Sequence, residues 1–180
     1  MDIQIETKRL ILREYIESDW TSVHEYAKLG DILTYVVWGP NDDEDTKKFI
    51  EKIIESKHIE PRTDFELAII LKTENKLIGG CSFRKDKLNP QKGSLGFIIN
   101  PSYWECGYAS EATNALIEYA IKKCNIYEIE ATCDTQNIAS QKVLKKCGFI
   151  QVSLINNHIK MKGRIRDTYF FSKKLRLHTG

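Results

Sequence analysis

Residues 104–112 read Trp104-Glu105-Cys106-Gly107-Tyr108-Ala109-Ser110-Glu111-Ala112, and what flanks them decides the fold. Before them, the apolar run 95–99 has the character of a strand. After them, apolar residues recur at Ala112, Ala115, Leu116, Tyr119 and Ala120, the spacing of one helix face. A strand, a short turn through Pro101 and Gly107, and a helix start therefore follow in order. The first turn of a helix offers unpaired backbone N–H groups at the positive end of the dipole, which suits an anion. Gly107 lets backbone approach a phosphate, because no Cβ intervenes. A plain strand-to-helix connection, with glycine for tightness, accounts for the same residues equally well.

A second segment decides between these readings. Asn137-Ile138-Ala139-Ser140-Gln141-Lys142-Val143-Leu144-Lys145-Lys146-Cys147-Gly148-Phe149 has the pattern of a short helix with a glycine stop, followed by a new strand. Together the two segments resemble the acetyl-CoA signature of the GNAT N-acetyltransferase superfamily. The first is similar to its pyrophosphate loop, and the second to its Asn-x-x-Ser/Ala…Gly-Phe helix. Thr7-Lys8-Arg9-Leu10-Ile11-Leu12-Arg13, Trp38-Gly39-Pro40 and Arg166-Asp167-Thr168-Tyr169-Phe170-Phe171-Ser172 resemble one branch, the Rim-type enzymes that acetylate protein N-termini. The resemblance runs over residues 7–175. It implies an α+β fold with a central, mostly antiparallel mixed sheet, flanked by helices and splayed where the cofactor enters.

The chain has 180 residues, the length of a single domain, which the resemblance implies is a GNAT domain over 1–180. With 27 Lys and Arg against 25 Asp and Glu, its net charge of +2 is too small to suggest nucleic acid as a partner. No apolar run approaches the ~20 residues of a membrane span, and the opening residues lack the apolar stretch of a signal peptide. Neither a membrane nor nucleic acid is expected as a partner. The five cysteines show no C-x-x-C pairing, which suggests reduced thiols in a cytoplasm and neither a disulfide frame nor a zinc site. No bound metal is expected. The basic residues near the end (Lys160, Lys162, Arg164, Arg166, Lys173, Lys174, Arg176) largely alternate, as on the solvated face of a hairpin.

The expected element order is β-α-α-β-β-β-α-β-α-β-β. Leu10 and Leu12 put one face of a first strand in the core. Ser18 is placed to cap a helix carrying Trp20, Val23 and Ala27, which Gly30 and Asp31 end. Asn41 or Asp42 caps a second helix, whose acidic start (residues 42–45) suits the dipole and whose buried stripe is Phe49, Ile50, Ile53 and Ile54. Glu74-Asn75 turns a hairpin, and a longer hairpin turns near Gly163.

Acetyl transfer from a thioester to an amine needs a held CoA, a neutral amine, a donor for the carbonyl oxygen and a tolerated thiolate. The resemblance assigns cofactor binding to Phe97, Ile98 and Ile99, whose backbone pairs with pantetheine amides and supplies an oxyanion donor. It adds Cys106, Gly107, Tyr108, Ala109 and Ser110 for the pyrophosphate, and Asn137 for the CoA arm. Asn137 has a helix N-cap as its simpler role, and Cys106 is most simply an incidental thiol. Three departures stand out: Glu105 replaces a glycine, Leu144 replaces the usual tyrosine acid, and Ser94 stands where the branch often has a carboxylate. Ser140 then becomes the candidate catalytic residue, as donor to the leaving sulfur. Glu66, Asp134 and His158 are the remaining candidate bases.

Tyr35 and Trp38 are expected to line the acceptor cleft. The Rim-type resemblance implies a protein or peptide N-terminal α-amine as acceptor, and such an amine, with a pKa of about 8 against ~10.4 for lysine, is the easier nucleophile at neutral pH. Polyamines, aminoglycosides and amino-acid-like molecules stand as alternatives, as does a non-catalytic acyl-CoA-binding module. The expected assembly is a monomer or homodimer.

Overall fold

Alternating apolar residues and short turns build eight strands and four helices in the computed structural model, which describes residues 3–30, 32–36 and 38–175. The strands are β1 (Gln4–Glu6), β2 (Leu10–Glu14), β3 (Asp64–Leu71), β4 (Lys76–Lys85), β5 (Lys92–Ile99), β6 (Glu128–Asp134), β7 (Ile150–Met161) and β8 (Arg164–Lys174). The helices are α1 (Trp20–Ala27), α2 (Asp43–Ser56), α3 (Tyr108–Cys124) and α4 (Ile138–Lys146). Their order matches the expected one except for β1, a three-residue edge strand too short to announce itself by alternation.

All strands lie in one sheet, in the order β1-β2-β3-β4-β5-β6-β8-β7. Every neighbouring pair is antiparallel except β5 and β6, which run parallel. That parallel pair is brief: Lys92, Gly93 and Ser94 stand opposite Glu128, Ile129 and Glu130, and pairing stops there. Beyond Ser94, β5 stays with β4 through Ile99, while β6 stays with β8 through Asp134. The sheet is therefore split along half its height, in agreement with the fold expected from the resemblance.

Because side chains alternate across a strand, the sheet carries a core on each face. One core holds Leu12, Leu67, Ile69, Phe83, Ile129 and Phe171 against Leu116, Ile117 and Ala120 of α3. The other holds Tyr15, Ala68 and Ile70 against Val23 and Tyr26 of α1 and Ile50 and Ile53 of α2.

The helix ends show two differences from expectation. Ser18 does not cap α1. Asp19, at the end of a 3₁₀ turn (Glu17–Asp19), accepts from the Ile16 N–H at 2.9 Å and pairs with Arg13 at 2.7 Å. Asp19 does its work by contact with a strand, which local capping patterns do not register. α1 ends at Ala27, ahead of Gly30, and Asp31 lies outside the described residues. Of the two residues considered for α2, Asp42 is the cap, accepting from the Asp45 N–H at 2.8 Å.

Candidate active site

The split and the loop that follows β5 form one continuous feature. A 3₁₀ turn (Pro101–Tyr103) leads out of the strand, with the Asn100 side chain accepting from the Ser102 N–H at 3.1 Å. The Trp104 indole N–H donates to the Ile99 carbonyl at 2.7 Å, tying the loop to the end of β5. Gly107 then begins α3 at φ +79°, a left-handed conformation open to glycine. Among the described residues, none of the N–H groups of Cys106, Gly107, Tyr108, Ala109 and Ser110 donates to a backbone carbonyl outside the helix. A Cβ at Gly107 would meet only the Arg9 guanidinium, at 3.6 Å, so the cradle has room above it. Unpaired N–H groups, a helix start and an open glycine suit a pyrophosphate. The unpaired edges of β5 and β6 suit an extended amide-bearing arm. The residues present thus fit acetyl-CoA.

Two features of the loop were not foreseen. Glu105 has φ +61°, so the place where the family commonly has glycine is one that demands a left-handed backbone. Its side chain is exposed. Arg9, quoted above only as part of a motif, latches the loop. Its Nε donates to the Glu111 carboxylate at 2.7 Å, its Nη1 to the Cys106 carbonyl at 2.9 Å, and its guanidinium lies 4.4 Å from the centre of the Tyr108 ring. Glu111 also accepts from the Thr7 hydroxyl at 2.6 Å and the Arg9 N–H at 2.9 Å. Burial works to raise the Glu111 pKa, but these hydrogen bonds and the Arg9 charge outweigh it and hold the pKa below the usual value. A contact between residues about a hundred positions apart leaves no trace in local periodicity.

On the other side of the split, Asn137 caps α4, its Oδ1 accepting from the Ser140 N–H at 3.0 Å. The cap uses the oxygen and leaves the amide N–H groups of Asn137 without a partner among the described residues. Ser140 is half-buried, while Leu144 is buried in the core, so no acid stands at the usual tyrosine position.

The residues expected to line the acceptor cleft stand among charges of both signs. Tyr35 lies beneath Arg166, with 5.7 Å from guanidinium carbon to ring centre, and Arg166 Nη1 donates to Asp134 at 3.2 Å. Arg166 is therefore tucked in, unlike the exposed Lys160, Lys162 and Arg164, and the fully solvated hairpin face expected from the alternation is corrected here. Lys173 is likewise engaged, with the Cys147 carbonyl at 2.5 Å. Trp38 stacks on Phe49 of α2, with ring centres 6.0 Å apart. Asp134 is buried and paired, and His158 is exposed on β7. Glu66 differs from both: burial pushes its pKa up to about 7, against the pull of Arg84 and with a push from Asp64. Among the described residues its carboxyl has no hydrogen-bond partner. No group of three or more His, Cys, Asp or Glu among those residues is arranged to hold a metal ion.

Comparison with known proteins bears on this geometry directly. The family model described as an acetyltransferase (GNAT) domain matches residues 9–150. The chain belongs to the GNAT acetyltransferase family. It is 34% identical over 170 residues to the uncharacterized N-acetyltransferase YnaD of Bacillus subtilis, covering 94% of this chain and 96% of that one. A GNAT-family acetyltransferase from Bacillus anthracis has the same fold at a TM-score of 0.85 and 30% identity, over 96% of this chain and 98% of the other. A ribosomal-protein-S5-alanine acetyltransferase from Vibrio fischeri shares the fold at a TM-score of 0.79 and 24% identity, over 96% and 97% of the two chains. This GNAT protein is thus an N-acetyltransferase. Among its described residues no helix is long and apolar enough to cross a membrane.

Proposed function

We propose that this enzyme moves the acetyl group of acetyl-CoA directly to the N-terminal α-amine of a protein or peptide. The observation that carries the cofactor half is the split beside Ser94, which leads into the open helix start at Gly107. Phe97, Ile98 and Ile99 supply backbone groups for the pantetheine arm and a donor for the carbonyl oxygen as it gains charge. Cys106, Gly107, Tyr108, Ala109 and Ser110 hold the pyrophosphate, and the Asn137 amide meets the arm. The Ser140 hydroxyl donates to the sulfur as it becomes a thiolate. The enzyme works as a single domain, monomeric or homodimeric, in a cytoplasm where its thiols stay reduced; all five are free, four of them buried.

The residues expected at the acceptor support a peptide. Tyr35 and the Asp134-paired Arg166 set an aromatic ring and guanidinium N–H donors where a peptide carbonyl is received, and Trp38, stacked on Phe49, is the further aromatic of the expected cleft. The acids at the start of α2 do not supply a pocket for a polyamine or aminoglycoside. Asp42 and Asp45 cap the helix reciprocally, Asp43 lies 3.0 Å from His24, and Glu44 lies 3.4 Å from Lys47. The test is thiol release from acetyl-CoA with N-terminal peptides, spermidine and an aminoglycoside in parallel. A kcat/KM for peptides at least tenfold above the others is expected. A preference for the polyamine would overturn the acceptor assignment.

A further inference from the structure

Glu66 stands in a row that crosses the sheet towards the split. It lies opposite Ser82 of β4, and Ser82 lies opposite Gly96 of β5, two residues past the last pairing of β5 with β6. With strands about 4.8 Å apart, the row brings a carboxyl on β3 within roughly 10 Å of the opening. Nothing projects from Gly96, and a Cβ there would come within 3.2 Å of the Ser82 Oγ. The Ser82 hydroxyl therefore reaches over Gly96, between Glu66 and the place where β5 is unpaired.

The neighbouring acids are all engaged. Asp64 pairs with Arg84, Glu14 with Arg62 at 2.8 Å, Asp19 with Arg13 and Asp134 with Arg166. Glu66 and Ser82 alone in this row have side chains without hydrogen-bond partners among the described residues. A half-buried carboxyl with no partner destabilises a fold, so its presence calls for a chemical reason. The charged and titratable groups that interact with it are Arg84 and Asp64, together with Tyr15 after β2 and Cys81 of β4.

We propose that Glu66 receives the proton which the acceptor ammonium must lose, relayed through the Ser82 hydroxyl that reaches over Gly96. The ammonium gives one proton to the carboxylate, which later releases it to solvent. The neutral nitrogen forms its bond to the acetyl carbon as the carbon–sulfur bond breaks. The remaining surplus N–H proton goes to the departing thiolate, giving amide and free thiol. A base is most effective with a pKa near the working pH, and burial brings Glu66 to about 7. The inference rests on acetyl transfer to an amine and is independent of which amine is preferred.

The test is the pH profile of kcat/KM for wild type and Glu66→Gln, with whichever amine the screen shows the wild type to use. Wild type should rise through an inflection near 7. Glu66→Gln should lose about 10- to 100-fold at pH 7 and follow the ionisation of the free amine. Glu66→Asp should recover part of the loss. The Tm of Glu66→Gln should exceed that of wild type at pH 8, because an isolated buried charge is removed, and the gain should vanish towards pH 4. Unchanged kcat/KM in Glu66→Gln, or a uniform loss at every pH with a lowered Tm, would overturn the assignment. Should the variant fail to fold, carboxyl ¹³C NMR of the wild type decides. A glutamate titrating near 7 that responds to acetyl-CoA supports the proposal, and titration of every glutamate near 4.5 rejects it. A different preferred amine would overturn the acceptor assignment and leave this result standing.

Discussion

Glu105 shows how a single residue reports on the cofactor loop. A non-glycine residue in the left-handed region costs roughly 1–2 kcal/mol, whereas glycine's extra freedom in the unfolded chain costs about 0.5–1 kcal/mol. With φ at +61° and the side chain exposed, Glu105→Gly should stabilise the protein by up to about 1 kcal/mol, raising Tm by roughly 2–4 °C. Acetyl-CoA affinity should be unchanged or slightly tighter, with weaker salt dependence. Calorimetry on both proteins measures this, and a clear loss of affinity would mean that the carboxylate makes a needed contact. Ser140→Ala makes the complementary prediction. Losing a hydrogen bond to a forming thiolate should lower kcat about 10- to 100-fold and leave the Kd for acetyl-CoA alone. Full kcat would reduce Ser140 to a first-turn residue of α4 whose N–H the Asn137 cap accepts. Gly107 could be read from its type, since glycine marks a positive φ, but Glu105 could not. Residue type conceals φ whenever a side chain tolerates the strain.

Elements are joined here by latches that their own sequences do not display. Helices α2, α3 and α4 were legible because caps, acidic starts and apolar spacing are local properties; Asp42 and Asn137 could be picked out by type. The tie between the start of β2 and the first turn of α3 could not, because Arg9 and Glu111 meet only once the sheet has formed. Arg9 is 40% exposed, so its pair with Glu111 is worth about 1 kcal/mol or less. Its position over Tyr108 adds about 0.5–1 kcal/mol. Arg9→Ala should therefore destabilise by about 1–2 kcal/mol and weaken acetyl-CoA binding several-fold, by loosening the carbonyl of Cys106. The ion-pair share depends on pH in a known direction. Glu111 titrates below its ordinary 4.5 in the fold, so its contribution is complete above 4.5 and is lost as pH falls through the lowered value. Urea denaturation of both proteins at pH 7 and pH 3 measures the change; an equal difference at both would assign the effect to packing alone.

At the scale of the whole molecule, the sheet splits where β5 and β6 each keep their outer neighbour and stop pairing with one another. β5 is held by β4 along its length, and β6 by β8, while α3 and α4 pack one face and α1 and α2 the other. The succession of strands along the chain was largely legible from hydrophobic runs, but their order in the sheet and the place where β5 and β6 part were not. Periodicity records which side chains are buried and says nothing of which neighbour a backbone edge has. The edge left bare beyond Ser94 makes a prediction for hydrogen exchange. Amides of 95–99 that do not donate to β4 should exchange within the fast class of exposed groups in the free protein, as should the amides of 106–110. Saturation with acetyl-CoA should slow both stretches together with the start of α4, because one extended ligand would pair the bare edge and fill the helix start. Mass action adds global stability as well, about 2.7 kcal/mol at a hundredfold excess over Kd, and that rise would slow the core amides of β3 and β4. The local effect is separated by comparing the protection gained at 95–99 and 106–110 with that gained in the core. Slowing confined to the core, with those two stretches unaltered, would place the ligand elsewhere and remove the split from the mechanism.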